Sequence, residues 1–312
     1  MIETRQLSKH YGAIRAVDDV SFRVEPGEVL GFLGPNGAGK STTMKIIAGF
    51  LTPTSGSASV LGYNVESEPV KARRQMGYLP EGAPSYGEMS VGAFLTFIAE
   101  IRGISAEHRR QRIDDAVDRL KLGGVYHQSI ETLSKGFRRR VGLAQAIIHD
   151  PKVLILDEPT DGLDPNQKHE VRTLINTMAK DKTIVVSTHI LEEVHAVCTR
   201  AIIIAHGRVL ADDTPAALEA RSRYHQAVSL STGNPLFAKE ALTRIDAVAR
   251  VEIDAQDKRV TAFPKPGQSI FGAVSEVIKA NQIEVSELAL ERGRLDEVFR
   301  TITETAVAQA RP

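Results

Sequence analysis

The chain has 312 residues, enough for two domains of ordinary size. Its 39 lysines and arginines balance 39 aspartates and glutamates, which excludes a global field drawing it onto nucleic acid or anionic lipid; any basic function must be local. No apolar run approaches the roughly 18 residues of a membrane span, the opening MIETRQLSKHYG lacks a signal-like apolar stretch, and the single cysteine, Cys198, excludes an internal disulfide and suits a reducing, cytoplasmic compartment.

Along the chain, EVLGFL (28–33), KVLILD (152–157) and TIVVS (183–187) are continuous apolar runs, as expected of strands covered on both faces of a parallel sheet. The helical patterns KSTTMKIIAGF (40–50) and NQKHEVRTLINTMAK (166–180) alternate with them, so the core is expected to be an open α/β sheet. Residues 91–150 carry helical periodicity without a strand-like run and are expected to form a helical insert. Within it Ile113, Val117 and Leu120 share one face, while Arg109, Arg110 and Arg112 fall on a solvated one.

In TLSKGFRRRVGLAQA, Ser134 suits the N-cap of a helix anchored by Val141, Ala144 and Ile148. Arg138, Arg139 and Arg140 then point about 100° apart, too splayed for one stripe along a nucleic-acid backbone. The segment AIIIAHGRVLAD (201–212) reads as two strands joined through His206 and Gly207. Beyond about Arg223 come AVSLS, NPLFAKEALTRI, AVARVEI, KRVTAF, QSIFGAVSEVIKA and QIEVSELAL. Their order, βαββαβ, predicts a small ferredoxin-like α+β unit before a last helix, RLDEVFRTIT. The expected domains are therefore 1–222 and 223–312.

The strongest chemical signal is GPNGAGKS (34–41), between a strand and a helix. Glycines at 34, 37 and 39 let backbone N–H groups turn inward on a triphosphate, and the following helix offers its positive end. With Pro35, Asn36, Ala38 and Thr42 completing the loop, Lys40 is expected on the β and γ phosphates and Ser41 on Mg²⁺. Asp157 and Glu158 end a buried strand, at the edge where open α/β sheets bind ligands. Two adjacent carboxylates there need a cation or a proton, which suits Asp157 as a Mg²⁺ partner and Glu158 as the group that polarises water. His189 ends a third strand, where an imidazole donor reaches a γ-phosphate held on the same edge.

With these elements the chain resembles the nucleotide-binding subunits of ABC transporters. The likeness covers residues 1 to about 222 and runs, in the family's order, through Tyr11, the phosphate loop, YLPEG (78–82), LSKGF (133–137), LDEP (156–159), DGLD (161–164) and STH (187–189). The resemblance implies a P-loop NTPase (RecA-like) core with an antiparallel β subdomain and the helical insert at about 91–150. It also implies that Tyr11 stacks on adenine. Ser134, Lys135 and Gly136 of a second copy would cover the γ-phosphate in a two-fold ATP-sandwich dimer, with the turn ending at Asp164 crossing the interface.

Two positions depart from the family pattern. Glu81 stands where glutamine is usual and is expected to contact the metal or its waters, because a bare carboxylate beside a γ-phosphate would be repelled. Lys135 stands where glycine is usual and is expected to reach the γ-phosphate across the dimer. The implied function is ATP hydrolysis coupled to a separate transmembrane permease, on the inner face of the cell membrane, in an export branch resembling multidrug and gliding-motility type ATPases. The alternatives are a soluble ABC ATPase acting on DNA or ribosomes and a switch that drives a signalling complex without moving a solute. Balanced charge, a single nucleotide domain and the lack of zinc-type cysteines oppose the first, so no nucleic-acid partner is expected.

Overall fold

A computed structural model describes residues 1–83, 85–254 and 259–310; Pro84 of GAPSYGEMS and Lys258 of KRVTAF lie outside the described residues. Contacts divide the chain into two units, Met1–Asp213 and Thr214–Pro312.

In the first unit, β1 (Ile2–Tyr11) and β2 (Ile14–Val24) form a bulged antiparallel pair. Next come β3 (Val29–Leu33), α1 (Lys40–Ile47), β4 (Ser55–Val60), β5 (Tyr63–Asn64), α2 (Pro69–Arg74) and β6 (Met76–Leu79). The expected insert contains α3 (Val91–Ile101), α4 (Ala106–Arg119) and α5 (Lys135–Ile147). The remainder is β7 (Val153–Asp157), α6 (Pro165–Ala179), β8 (Thr183–Thr188), α7 (Leu191–Val197), β9 (Arg200–Ala205) and β10 (Arg208–Asp213). His206 and Gly207, both at positive φ, make the tight turn between β9 and β10 that a hairpin of this length requires.

The large sheet has the order β10-β9-β3-β8-β7-β6, parallel except at the β10 edge. Every residue of β3, β7 and β8 is buried, which is why these strands are apolar throughout rather than alternating. A second sheet, β2-β1-β4-β5, is antiparallel and shares its core with the large one through Phe22, Phe32, Met44 and Ile46. Each such side chain contributes about 1.5–3 kcal/mol by leaving water. In the insert, Ile113, Val117 and Leu120 are buried as their spacing requires.

The second unit contains α8 (Pro215–Glu219), β11 (Val228–Thr232), α9 (Pro235–Thr243), β12 (Val248–Asp254), β13 (Arg259–Pro264), α10 (Phe271–Ala280), β14 (Val285–Leu290) and α11 (Leu295–Ala310). Its sheet, β12-β13-β11-β14, is antiparallel throughout, the ferredoxin-like arrangement of a βαββαβ chain. Leu230, Val260, Leu242 and Val274 lie in its core. Among the described residues, no helix is long and apolar enough to cross a membrane.

Candidate active site

β3 delivers the chain to Gly34, where a Cβ would lie 2.3 Å from the carbonyl oxygen of Ile204. Gly39, at φ +105°, faces the carbonyl oxygen of Ala16, which a Cβ would approach to 2.4 Å. Backbone crowding thus fixes glycine at both ends of the loop. Between them Pro35, Asn36 and Gly37 are exposed and Ala38 is buried. Lys40 opens α1, and its ammonium donates to the carbonyls of Gly34 at 2.6 Å and Pro35 at 3.1 Å. Ser41 and Thr42, half-buried, share the same first turn, whose free N–H groups favour an anion. Burial holds the Lys40 pKa below its ordinary value, against the opposing pull of Glu158, Asp157 and Glu81.

The ends of β7 and β8 are tied together next to this loop. Asp157 is fully buried; one carboxylate oxygen accepts from the Ser187 hydroxyl, and Oδ2 has no partner. Glu158 has φ +51°, a strained backbone for a residue with a long side chain. Its N–H donates to the carbonyl oxygen of Ser187 at 3.2 Å and to its hydroxyl at 3.0 Å, which holds that conformation. The Glu158 carboxylate meets His189 Nδ1 at 3.0 Å, with Glu158 13% exposed and His189 55% exposed. Burial raises the Glu158 pKa, while His189 and Lys40 oppose the shift.

β3, β8, β7 and β6 are consecutive in the sheet, so the phosphate loop, His189, the two carboxylates and Glu81 occupy neighbouring strand ends on one edge. Glu81 follows Pro80 beyond β6 and is exposed. It lies close enough for its charge to act on Lys40, Tyr78 and Arg139. Such an edge can cradle a polyphosphate and deprotonate a water beside it. Tyr11 stands apart, at the end of β1, 49% exposed with the Lys9 ammonium 5.4 Å from its ring centroid.

The LSKGF segment packs against the loop that follows Glu158. Ser134 caps α5, accepting from the Phe137 N–H at 3.3 Å. Lys135 pairs with Asp161 of its own chain at 2.8 Å, and its stem lies over Gly162. Within one chain the Asp161 carboxylate thus supplies its counter-charge. Gly136 is buried against Gln167, whose side-chain oxygen a Cβ would approach to 2.7 Å, and Asp164 caps α6 by accepting from the Gln167 N–H at 2.9 Å. Of the three arginines, Arg138 is exposed and Arg139 and Arg140 are buried. Arg139 donates to the Pro80 carbonyl, and Arg140 to Glu170 and the Leu120 carbonyl.

Sequence reasoning passed over Thr160, Thr188 and Glu193, which form a buried hydrogen-bonded group beside the ends of β7 and β8. The available signal was a carboxylate on the apolar face of α7, where Glu193 shares burial with Val194 and Val197.

Residues 17–161 match the ABC transporter family model. Over 310 residues the chain is 33% identical to the daunorubicin/doxorubicin resistance ATP-binding protein DrrA of Streptomyces peucetius, covering 97% of this chain and 92% of that protein. Over 223 residues it is 38% identical to the probable multidrug ABC transporter ATP-binding protein YbhF of Escherichia coli (strain K12). That match covers 71% of this chain and 38% of the relative, so the chain spans well under half of its length. The dimeric structure of a bacterial ABC transporter cassette aligns with 69% of this chain and 99% of its own, at 25% identity and a TM-score of 0.65. With these motifs, this fold and an end-to-end match to DrrA, the chain belongs to the ABC transporter family, among its ATP-binding proteins.

Proposed function

We propose that the chain is the ATP-binding and ATP-hydrolysing subunit of an ABC transporter, dimerising on ATP to drive a separate membrane permease from the cytoplasmic face. The observation that carries this reading is the Glu158–His189 contact on the same sheet edge as Lys40 and Asp157. Lys40 and the first turn of α1 bind the β and γ phosphates, and Tyr11 offers its exposed ring to the adenine. Glu158 accepts a proton from the attacking water; its raised pKa makes it a stronger base than an ordinary carboxylate. His189, held by Glu158, orients a ring nitrogen toward the γ-phosphate.

The donors also fit Mg²⁺. Asp157 Oδ2 is buried without a hydrogen-bond partner, and Asp157, the Ser41 hydroxyl and the Glu81 carboxylate are hard oxygen donors that would hold the ion. Bound there, Mg²⁺ would neutralise charge on the ATP phosphates. One or two carboxylates suffice for it, so no denser acidic cluster is required.

Ser134 to Gly136 of the second copy completes the site in this reading, and the dimeric cassette to which the chain is similar supports that assembly. A cleft of about 1320 Å³ bordered by Phe50, Tyr78, Pro80, Tyr86 and Ile101 supplies an apolar surface beside Glu81 for the permease. The end-to-end likeness to a drug-resistance ATP-binding protein favours export. The test is ATP binding and phosphate release by the purified chain. The expected result is hydrolysis by the wild type and loss of binding in Lys40→Ala; a wild type that neither binds nor hydrolyses ATP would overturn the reading.

A further inference from the structure

Glu193 is 3% exposed, on a helix whose other buried residues are Val194 and Val197. A carboxylate in that position is costly unless its oxygens are engaged. One oxygen accepts from the Thr160 hydroxyl, and the other from the Thr188 hydroxyl at 2.9 Å. The nearest guanidinium, that of Arg172, stands 4.0 Å away and directs its other nitrogen to Glu192 on the surface at 3.1 Å. The side chain is therefore engaged mainly by two threonines, not neutralised by a close ion pair.

Those threonines sit on the two segments that carry the chemistry. Thr160 lies two residues after Glu158 and directly before Asp161, and Thr188 directly precedes His189. Thr188 also accepts from the Ile190 N–H at 3.0 Å, so its hydroxyl is fixed from both sides. The two strand ends are already joined once, on the side of Asp157 and Ser187. Glu193 joins them a second time, beyond the strained Glu158. A residue held at φ +51° keeps that conformation only when its surroundings over-determine it.

We propose that Glu193 is a positioning residue for hydrolysis. By bonding Thr160 and Thr188 at once, it sets the spacing of Glu158 and His189 and couples the His189 segment to the Asp161–Asp164 loop. The inference rests on the ATPase reading above. Glu193 is buried with both oxygens engaged by the two threonines, so its loss acts on the rate of the chemical step rather than on ATP affinity.

The experiment compares Glu193→Ala, Glu193→Gln, Thr160→Val, Thr188→Val and Thr188→Ser in the full chain, measuring ATP dissociation constants by a fluorescent analogue and phosphate release in single turnovers. Displacement of a reacting group by about 1 Å costs up to about a hundredfold in rate, so Glu193→Ala should lose about tenfold to a hundredfold with ATP affinity retained. Glu193→Gln, which keeps an acceptor and the side-chain shape, and Thr188→Ser, which keeps the hydroxyl, should recover most of the rate. Either valine variant should slow release alone and add little in the Glu193→Ala background, since both act through one side chain. If Glu193→Ala fails to fold, the threonine variants carry the same comparison. Unchanged rates, or losses that follow ATP affinity and are not rescued by Gln or Ser, would overturn the role of Glu193. Absence of ATP binding and phosphate release in the wild type would instead overturn the ATPase reading, and the inference with it.

Discussion

The buried polar side chains of the first unit include Lys40, Arg139, Arg140, Asp157 and Glu193, whereas those described in the second are the hydroxyls of Ser222, Ser229, Thr232 and Thr261. In the second unit every one of these hydroxyls has a partner: Ser229 meets Thr261 and Glu291, Thr232 donates to the Glu284 carbonyl, and Ser222 accepts from the Tyr224 N–H. Arg294 and Arg250 of that unit lie over aromatic rings, 3.8 Å from the Tyr224 centroid and 4.4 Å from that of Phe263, and one Arg259 nitrogen is buried without a hydrogen-bond partner. In the first unit Asp157 Oδ2 and an Arg139 nitrogen, the latter 3.8 Å from Asp161, are buried without hydrogen-bond partners. Burying charge is unfavourable, and among the described residues the charged side chains buried as a whole lie in the first unit, which also holds the candidate site.

The largest response in the first unit is expected at Glu158. Glu158→Gln should slow phosphate release by roughly a hundredfold to ten-thousandfold, the usual worth of a positioned base, while binding ATP. In the wild type the raised pKa sets a pH signature. Glu158 takes up its proton at a higher pH than an ordinary glutamate, so release should fall on the acid side at a correspondingly higher pH. A profile governed by an ordinary glutamate would contradict this.

The second unit should respond oppositely. Leu242→Ala removes a fully buried side chain and should cost about 2–5 kcal/mol in denaturant unfolding of that unit, with ATP affinity unchanged. Gly34→Ala forces a Cβ against the Ile204 carbonyl and should cost about 1–3 kcal/mol in the first unit together with ATP affinity. Glu81→Gln is expected to shift the Mg²⁺ dependence of hydrolysis with little change in stability. The smallest effect on folding belongs to Lys135→Gly. The Lys135–Asp161 pair is 62% and 41% exposed, so its loss should cost at most about 1 kcal/mol. Its informative readout is ATP-driven dimerisation, and an unchanged dimer would leave Lys135 a spectator.

How much of this was legible in sequence depended on whether local or distant contacts decide the conformation. The continuous runs of β3, β7 and β8 and the βαββαβ order of the second unit follow from residue patterning, and the structure starts and ends those elements within a few residues of it. β1 and β2 escape patterning because bulges interrupt their register, and β4 because SGSASV is rich in serine and glycine; only the family resemblance supplied that subdomain. The phosphate loop was legible as a motif, but the reason for Gly34 and Gly39 lies in the carbonyls of Ile204 and Ala16, far away in sequence. The place of Glu193 on the apolar face of α7 could be read, but not its partners, since these include Thr160, 33 residues away, brought close only by adjacent strands. The burial of Arg139 and Arg140 was likewise hidden. Spacing showed that the arginines diverge, and packing decided which ones reach the interior.

The central claim, that this sheet edge is half of an ATP site completed by another copy, is tested most directly by the mass of Glu158→Gln in solution. With ATP and Mg²⁺, light scattering should report a dimer that is absent without nucleotide and lost when Ser134→Arg is added. A Glu158→Gln chain that binds ATP yet stays monomeric, or that releases phosphate at the wild-type rate, would contradict the account.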